Sequence, residues 1–83
     1  MLRREIWVDP RGRVVRYSLA YINHLVYAGD NGRVLGYDSA HGCHHRHYRG
    51  RVTKVRFESF GQTEARFQRE WNRLAKEGRH AQD

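Results

Sequence analysis

The chain has 83 residues, enough for one small domain that we place at 1–83 without an internal boundary. Sixteen Lys and Arg against nine Asp and Glu give a formal net charge of +7. Most of the cations are arginines, whose planar donors favour phosphate or carboxylate, so polyanions or an acidic protein are the expected partners. The single cysteine, Cys43, excludes an internal disulfide and a Cys-x-x-Cys zinc cluster. No apolar stretch suits a signal peptide or a membrane span, which predicts a cytoplasmic protein with no membrane partner.

Turn residues divide roughly the first 58 residues into short β-strands. Turn signals stand at 9–12, 29–32 and 49–50, each between runs rich in β-branched and aromatic residues. In the second run, Val15, Tyr17, Leu19 and Tyr21 alternate with other residues, which is the period of a half-buried strand. We predict an antiparallel meander of about five strands, at 5–8, 13–27, 33–37, 44–48 and 51–58.

After Gly61, the spacing of the apolar residues changes from a period of two residues to one of 3.6. Phe67, Trp71, Leu74 and Ala75 then share one face of a predicted amphipathic helix. Ser59 with Gln62 resembles a capping box, and Gly78 suits a C-terminal stop. We therefore predict a helix at 60–78, a flexible polar tail at 79–83, and an α+β fold in which the helix packs on one face of the sheet.

Four of the six histidines stand between positions 41 and 47: His41, His44, His45 and His47. Histidine exchanges protons near neutral pH and is also a common metal ligand. On a strand, successive side chains alternate, which sends His45 and His47 to one face and His44, Arg46 and Tyr48 to the other. Which set faces the helix is open from the sequence.

This segment contains the groups that metal-independent RNA cleavage needs. Attack of a 2′-hydroxyl on its phosphate requires a general base, a general acid and stabilisation of the added negative charge. Two histidines can share the acid–base work, Asp38 can orient an imidazole, and an arginine can bind the phosphate. The predicted catalytic residues are His41, His44, His45, His47, Arg46, Tyr37 and Asp38, and the predicted substrate-binding residues are Arg33, Tyr48, Arg49, Arg51, Lys54 and Arg56.

Two alternatives remain open from the residues alone. Asp38 with three of the clustered histidines has the ligand types of a divalent-metal hydrolase, although neighbouring side chains on a strand diverge and the nearby arginines repel a cation. We expect no cofactor and leave that metal site as the alternative. The other alternative is a non-enzymatic module that binds nucleic acid or protein through its arginines.

Several segments together carry a resemblance. Residues 5–9 (EIWVD), 12–17 (GRVVRY), 29–38 (GDNGRVLGYD), 41–47 (HGCHHRH) and 67–71 (FQREW) resemble small bacterial and archaeal proteins of the TumE family. The resemblance covers nearly the whole chain. It implies the toxin of a two-gene toxin–antitoxin module, whose antitoxin carries a helix-turn-helix and binds the toxin tightly. The architecture is also similar to that of RelE-like ribonuclease toxins, at the level of fold alone.

A second copy of the chain is a further candidate partner. Edge strands of so small a sheet can pair across a dimer. The apolar residues Leu25, Val26 and Tyr27, at the end of the predicted second strand, are the expected contact.

Overall fold

The computed structural model describes residues 1–40 and 42–82. One antiparallel sheet has its strands in chain order, and a single helix follows it. The elements are β1 (Leu2–Val8), β2 (Val14–Ile22), a 3₁₀ turn (Asp30–Gly32), β3 (Arg33–Ala40), β4 (Cys43–Tyr48), β5 (Arg51–Lys54) and α1 (Phe60–Gln82). This five-stranded meander with a C-terminal helix confirms the predicted α+β fold. Within the described residues, no helix has both the length and the apolar character needed to span a membrane.

The second strand is shorter than predicted. It ends at Ile22, because the amides of Val26 and Tyr27 both donate to the carbonyl of Asn23 and close a turn. Val26 and Tyr27 pack against the hydrophobic core, whereas Leu25 is 89% exposed. The expected dimer contact at these three residues stays a prediction, and the structure places them in a turn and not on an extended strand edge.

Several other boundaries differ from the prediction. β1 begins at Leu2 and not at position 5, and β3 continues to Ala40 and does not end at position 37. β5 ends at Lys54, four residues short of the predicted end, and Phe57 beyond it stacks on the ring of His44. The helix continues past Gly78 to Gln82, since glycine weakens a helix without necessarily ending it. The start of the helix is as predicted, with the amide of Gln62 donating to Oγ of Ser59 at 3.1 Å.

The core lies between the helix and one face of the sheet. Leu19 of β2 and Leu35 of β3 are buried there with Phe67 of α1. Trp71 and Leu74 pack against the same cluster, as the helical period predicted. Because side chains alternate along a strand, the residues between the core positions project from the opposite face of the sheet, which we call the open face.

Candidate functional site

The predicted catalytic residues are divided between the two faces of the sheet. Arg46 on β4 reaches Glu70 of the helix, whereas His45 and His47 contact Asp38 on the open face. This division is the alternation that the sequence predicted, and the structure adds that the helix covers the set containing Arg46. His41 lies outside the described residues.

Asp38 is the centre of the open-face group. Its Oδ2 lies 2.9 Å from Nε2 of His47, and its Oδ1 lies 3.9 Å from Nδ1 of His45. In the sheet register, Asp38 is directly opposite His45 on β4 and opposite Ser18 on β2. One carboxylate thus stands between two imidazoles on a partly buried surface.

His47 has protein groups at both ring nitrogens. Nη2 of Arg33 lies 3.0 Å from its Nδ1, and because a guanidinium can only donate, Nδ1 acts as the acceptor. The ring proton is then on Nε2, which is buried and close to Asp38 but not aligned for a hydrogen bond. His47 is therefore a link between Arg33 and Asp38 and has little freedom to meet a substrate.

Arg33 reaches this position because Gly36 leaves space for it. A Cβ at Gly36 would lie 2.8 Å from Cδ of Arg33, so the arginine side chain runs directly over the glycine. The guanidinium also pairs with Asp30 at 2.8 Å and approaches Asp38 at 3.7 Å. A fixed cation thus lies beside the carboxylate and the imidazoles.

His45 differs from His47 in its freedom. Its contact with Asp38 is longer, and among the described residues it has no hydrogen bond from another side chain. Lys54 of the edge strand is its cross-strand partner. Cross-strand partners have Cβ atoms about 4.5–5.5 Å apart, so the side chains of His45 and Lys54 start side by side at this edge of the open face.

The helix face carries a second polar cluster, which contains Tyr37 and Arg46. The hydroxyl of Tyr37 donates to Glu70, and the guanidinium of Arg46 forms an ion pair with the same carboxylate. Arg66, one turn earlier on the helix, lies 3.4 Å from Glu70. Tyr37 is only 1% exposed, so its hydroxyl joins the helix to the sheet and does not reach the open face.

The electrostatics of this cluster follow from its burial. Burial, together with the hydrogen bond to Glu70 and its charge, raises the pKa of Tyr37 to about 12. Burial alone would raise the pKa of Glu70, but the hydrogen bonds from Arg46 and Tyr37 outweigh it and lower that pKa. Glu70 was missed in the sequence analysis because a glutamate flanked by arginines on a helix is typical of a solvated face.

His44, also on the helix face, is enclosed by aromatic residues. Its ring stacks on Phe57 at a centroid distance of 3.9 Å, and its Nδ1 lies 2.9 Å from the hydroxyl of Tyr17. Burial, and to a smaller extent the charge of His45, lowers the pKa of His44. His44 is thus a packed residue on the other side of the sheet from Asp38.

Comparison with known proteins supplies the family. The model of the family described as Toxin TumE matches residues 2–77, nearly the whole chain. The chain belongs to the TumE toxin family. This confirms the resemblance seen in the sequence and makes the protein the toxin component of a toxin–antitoxin pair, with an antitoxin as its general partner. Searches of curated proteins and of solved structures give no significant match.

The predicted substrate-binding residues of this TumE toxin do not form one surface. On the open face, Arg33 contacts His47, and Lys54 is the cross-strand partner of His45. Arg49 belongs to the β4–β5 turn, and its guanidinium lies over the ring of Tyr48 at 5.6 Å, while Arg51 is opposite Tyr48 in the register. Arg56 lines a groove of about 450 Å³ beside the helix, together with Arg66 and Arg69. The basic residues therefore border both faces.

Metal ligation was the other chemistry considered for the histidines of this toxin. Asp38, His45 and His47 are the ligand types that lie together on the open face. Across residues 1–40 and 42–82, no three His, Cys, Asp or Glu side chains are arranged to hold a metal ion.

Proposed function

We propose that this TumE toxin is a metal-independent ribonuclease whose general base is His45. The observation that carries the proposal is the position of Asp38, between His45 and His47 on a partly buried sheet face that also holds Arg33 and Lys54. A carboxylate beside one ring nitrogen orients an imidazole and stabilises its protonated form. The neighbouring cations suit a phosphate.

The proposed reaction needs only these groups and the RNA. The 2′-hydroxyl transfers its proton to His45 as the 2′ oxygen bonds to phosphorus. The bond from phosphorus to the 5′ oxygen then breaks, and Lys54 gives that oxygen a proton. The products are a 2′,3′-cyclic phosphate and a 5′-hydroxyl, and both side chains recover their starting states by proton exchange with water.

The other residues have supporting roles in this proposal. Arg33 neutralises charge on the phosphate, and His47 holds Arg33 and Asp38 in place, since both its ring nitrogens already face protein groups. A single acid–base group of this kind is worth about 10²–10⁴ in rate. The 3.9 Å between His45 and Asp38 is long for a hydrogen bond, and such contacts often shorten when substrate binds.

The first test compares growth arrest by the wild type with arrest by His45→Ala and a matched control, His24→Ala. His24 is exposed in the turn after β2, and the side chains paired with Asp38 are those of Arg33, His45 and His47. We expect arrest and cleaved RNA with cyclic-phosphate ends from the wild type and the control, unchanged by a chelator. We expect neither from His45→Ala, although its circular dichroism and RNA affinity should be retained. Equal arrest by folded His45→Ala would refute the proposal.

The same experiment separates the two rivals. A non-enzymatic binder would arrest growth without cut RNA, and its affinity would fall when arginines are removed and when salt is raised. A metal-dependent hydrolase would lose cleavage with the chelator and recover it on addition of a divalent ion.

We expect the antitoxin to carry a helix-turn-helix, as the family resemblance implies. Co-expression of the neighbouring gene should abolish growth arrest, and the two proteins should purify together. Light scattering of the toxin alone measures whether a second copy is also a partner.

A further inference from the structure

Trp7 is an exposed aromatic residue on the same face of the sheet as Asp38 and His45. In the register, Trp7 of β1 is opposite Arg16 of β2. The pair of Glu5 and Ser18 lies two residues further along the same strands, and therefore on the same face. Ser18 is in turn opposite Asp38. Since cross-strand partners project from the same side, the indole and the proposed catalytic group share the open face.

The indole keeps exposed area, and a cation lies over one face of its ring. Trp7 is 42% exposed, although tryptophan is a residue that proteins usually cover. The guanidinium of Arg16 lies 4.9 Å from the centre of its ring system. A base that stacks on the other face of this indole would bring its phosphate close to Arg16, and aromatic stacking beside a cation is how single-stranded nucleic acids are held without sequence preference.

The side chains between this pair and the group formed by Asp38 and His45 are small. Ser18 and Ala40 occupy the open-face positions that separate Arg16 from Asp38, and their side chains are small. Neighbouring strands are about 4.8 Å apart, so β1 lies roughly 14 Å across the sheet from β4. A few nucleotides of a single strand can lie across the small side chains of Ser18 and Ala40, between the larger side chains at both ends.

We propose that Trp7 and Arg16 form a stacking subsite that selects single-stranded RNA and holds a base a few nucleotides from the cleaved phosphate. This inference rests on the proposed ribonuclease function for the choice of RNA as ligand. The bases of a duplex are already stacked on each other and cannot reach the indole, so the subsite discriminates against double-stranded RNA.

The test measures binding without cleavage. The probe is a fluorescein-labelled, fully 2′-O-methylated single strand of mixed sequence, which has no 2′-hydroxyl to attack, and its duplex with the complementary strand is the comparison. Anisotropy titrations at one fixed salt concentration use the wild type, Trp7→Ala, Trp7→Phe and Leu25→Ala. Leu25 is a matched exposed apolar residue in the turn after β2, outside the open face.

We expect Trp7→Ala to weaken single-strand binding about tenfold or more, while Trp7→Phe keeps most of the affinity and Leu25→Ala is unchanged. Affinity for the duplex should be lower and insensitive to Trp7. Wild-type single-strand affinity in folded Trp7→Ala, or equal losses for single strand and duplex, would overturn the subsite.

The two proposals fail separately. If binding of the uncleavable strand depends on Trp7 but unmodified RNA is never cut, the ribonuclease proposal falls and Trp7 and Arg16 stand as a single-strand binding site without a cleaved phosphate. If unmodified RNA is cut in a His45-dependent way and Trp7→Ala binds as the wild type does, the subsite alone falls.

Discussion

The cluster around Glu70 predicts that this one carboxylate holds the helix to the sheet. Glu70→Ala would leave the hydroxyl of Tyr37, which is 1% exposed, without its acceptor. A buried donor left without a partner costs about 1–3 kcal/mol. The lost pairing with Arg46 adds at most about 1 kcal/mol, because that guanidinium keeps some contact with water.

We therefore expect Glu70→Ala to lower the free energy of unfolding by about 1–4 kcal/mol. For a domain of this size, that corresponds to a fall in Tm of roughly 5–30 °C. Glu70→Gln keeps an acceptor for the tyrosine hydroxyl, so it should lose about 1 kcal/mol. Urea and thermal unfolding followed by circular dichroism measure both.

The control is Glu77→Ala, which removes an exposed glutamate from the same helix and should change the unfolding free energy by less than about 0.5 kcal/mol. In a Tyr37→Phe background, Glu70→Ala should cost less than it does in the wild type, because no hydroxyl is left unpaired. If Glu70→Ala unfolds like Glu77→Ala, or costs the same in both backgrounds, the assigned role of the cluster is wrong.

Three further predictions concern pH and the support of Asp38. Because the folded pKa of His44 lies below 6.5, the wild type should lose stability as pH falls through 6.5. In urea titrations, His44→Phe should lose less stability over this range. Equal dependence of the unfolding free energy on pH in both proteins would contradict the prediction. Because the folded pKa of Tyr37 is raised from 10.0 to about 12, its contribution should be complete below pH 10 and disappear towards pH 12, a loss absent from Tyr37→Phe in alkaline melts. Gly36→Ala should displace Arg33, and the new Cβ would also lie 3.1 Å from the carbonyl of Leu19. We therefore expect this change to lower the unfolding free energy by about 1–3 kcal/mol and to weaken RNA cleavage. A variant with wild-type unfolding and cleavage would show that the close approach is unimportant.

Local patterns in the sequence were sufficient for the elements. The period-two run through Tyr17 and Leu19 predicted β2, and the 3.6-residue period through Phe67 and Trp71 predicted α1. Both periods arise from the backbone geometry of a single strand or helix, so they are readable without knowledge of any distant contact. The error at 23–27 came from a turn that ends in three consecutive apolar residues, which extended the apparent strand.

The sequence by itself determined the fold class, the helix start at Ser59 and the separation of His45 and His47 from Arg46. Only the tertiary structure decided which of those sets the helix covers, and hence that Tyr37 and Arg46 meet Glu70 while Asp38 meets the two histidines. The physical reason is that alternation fixes relative direction along one strand, whereas the choice of covered face depends on packing between residues far apart in the chain.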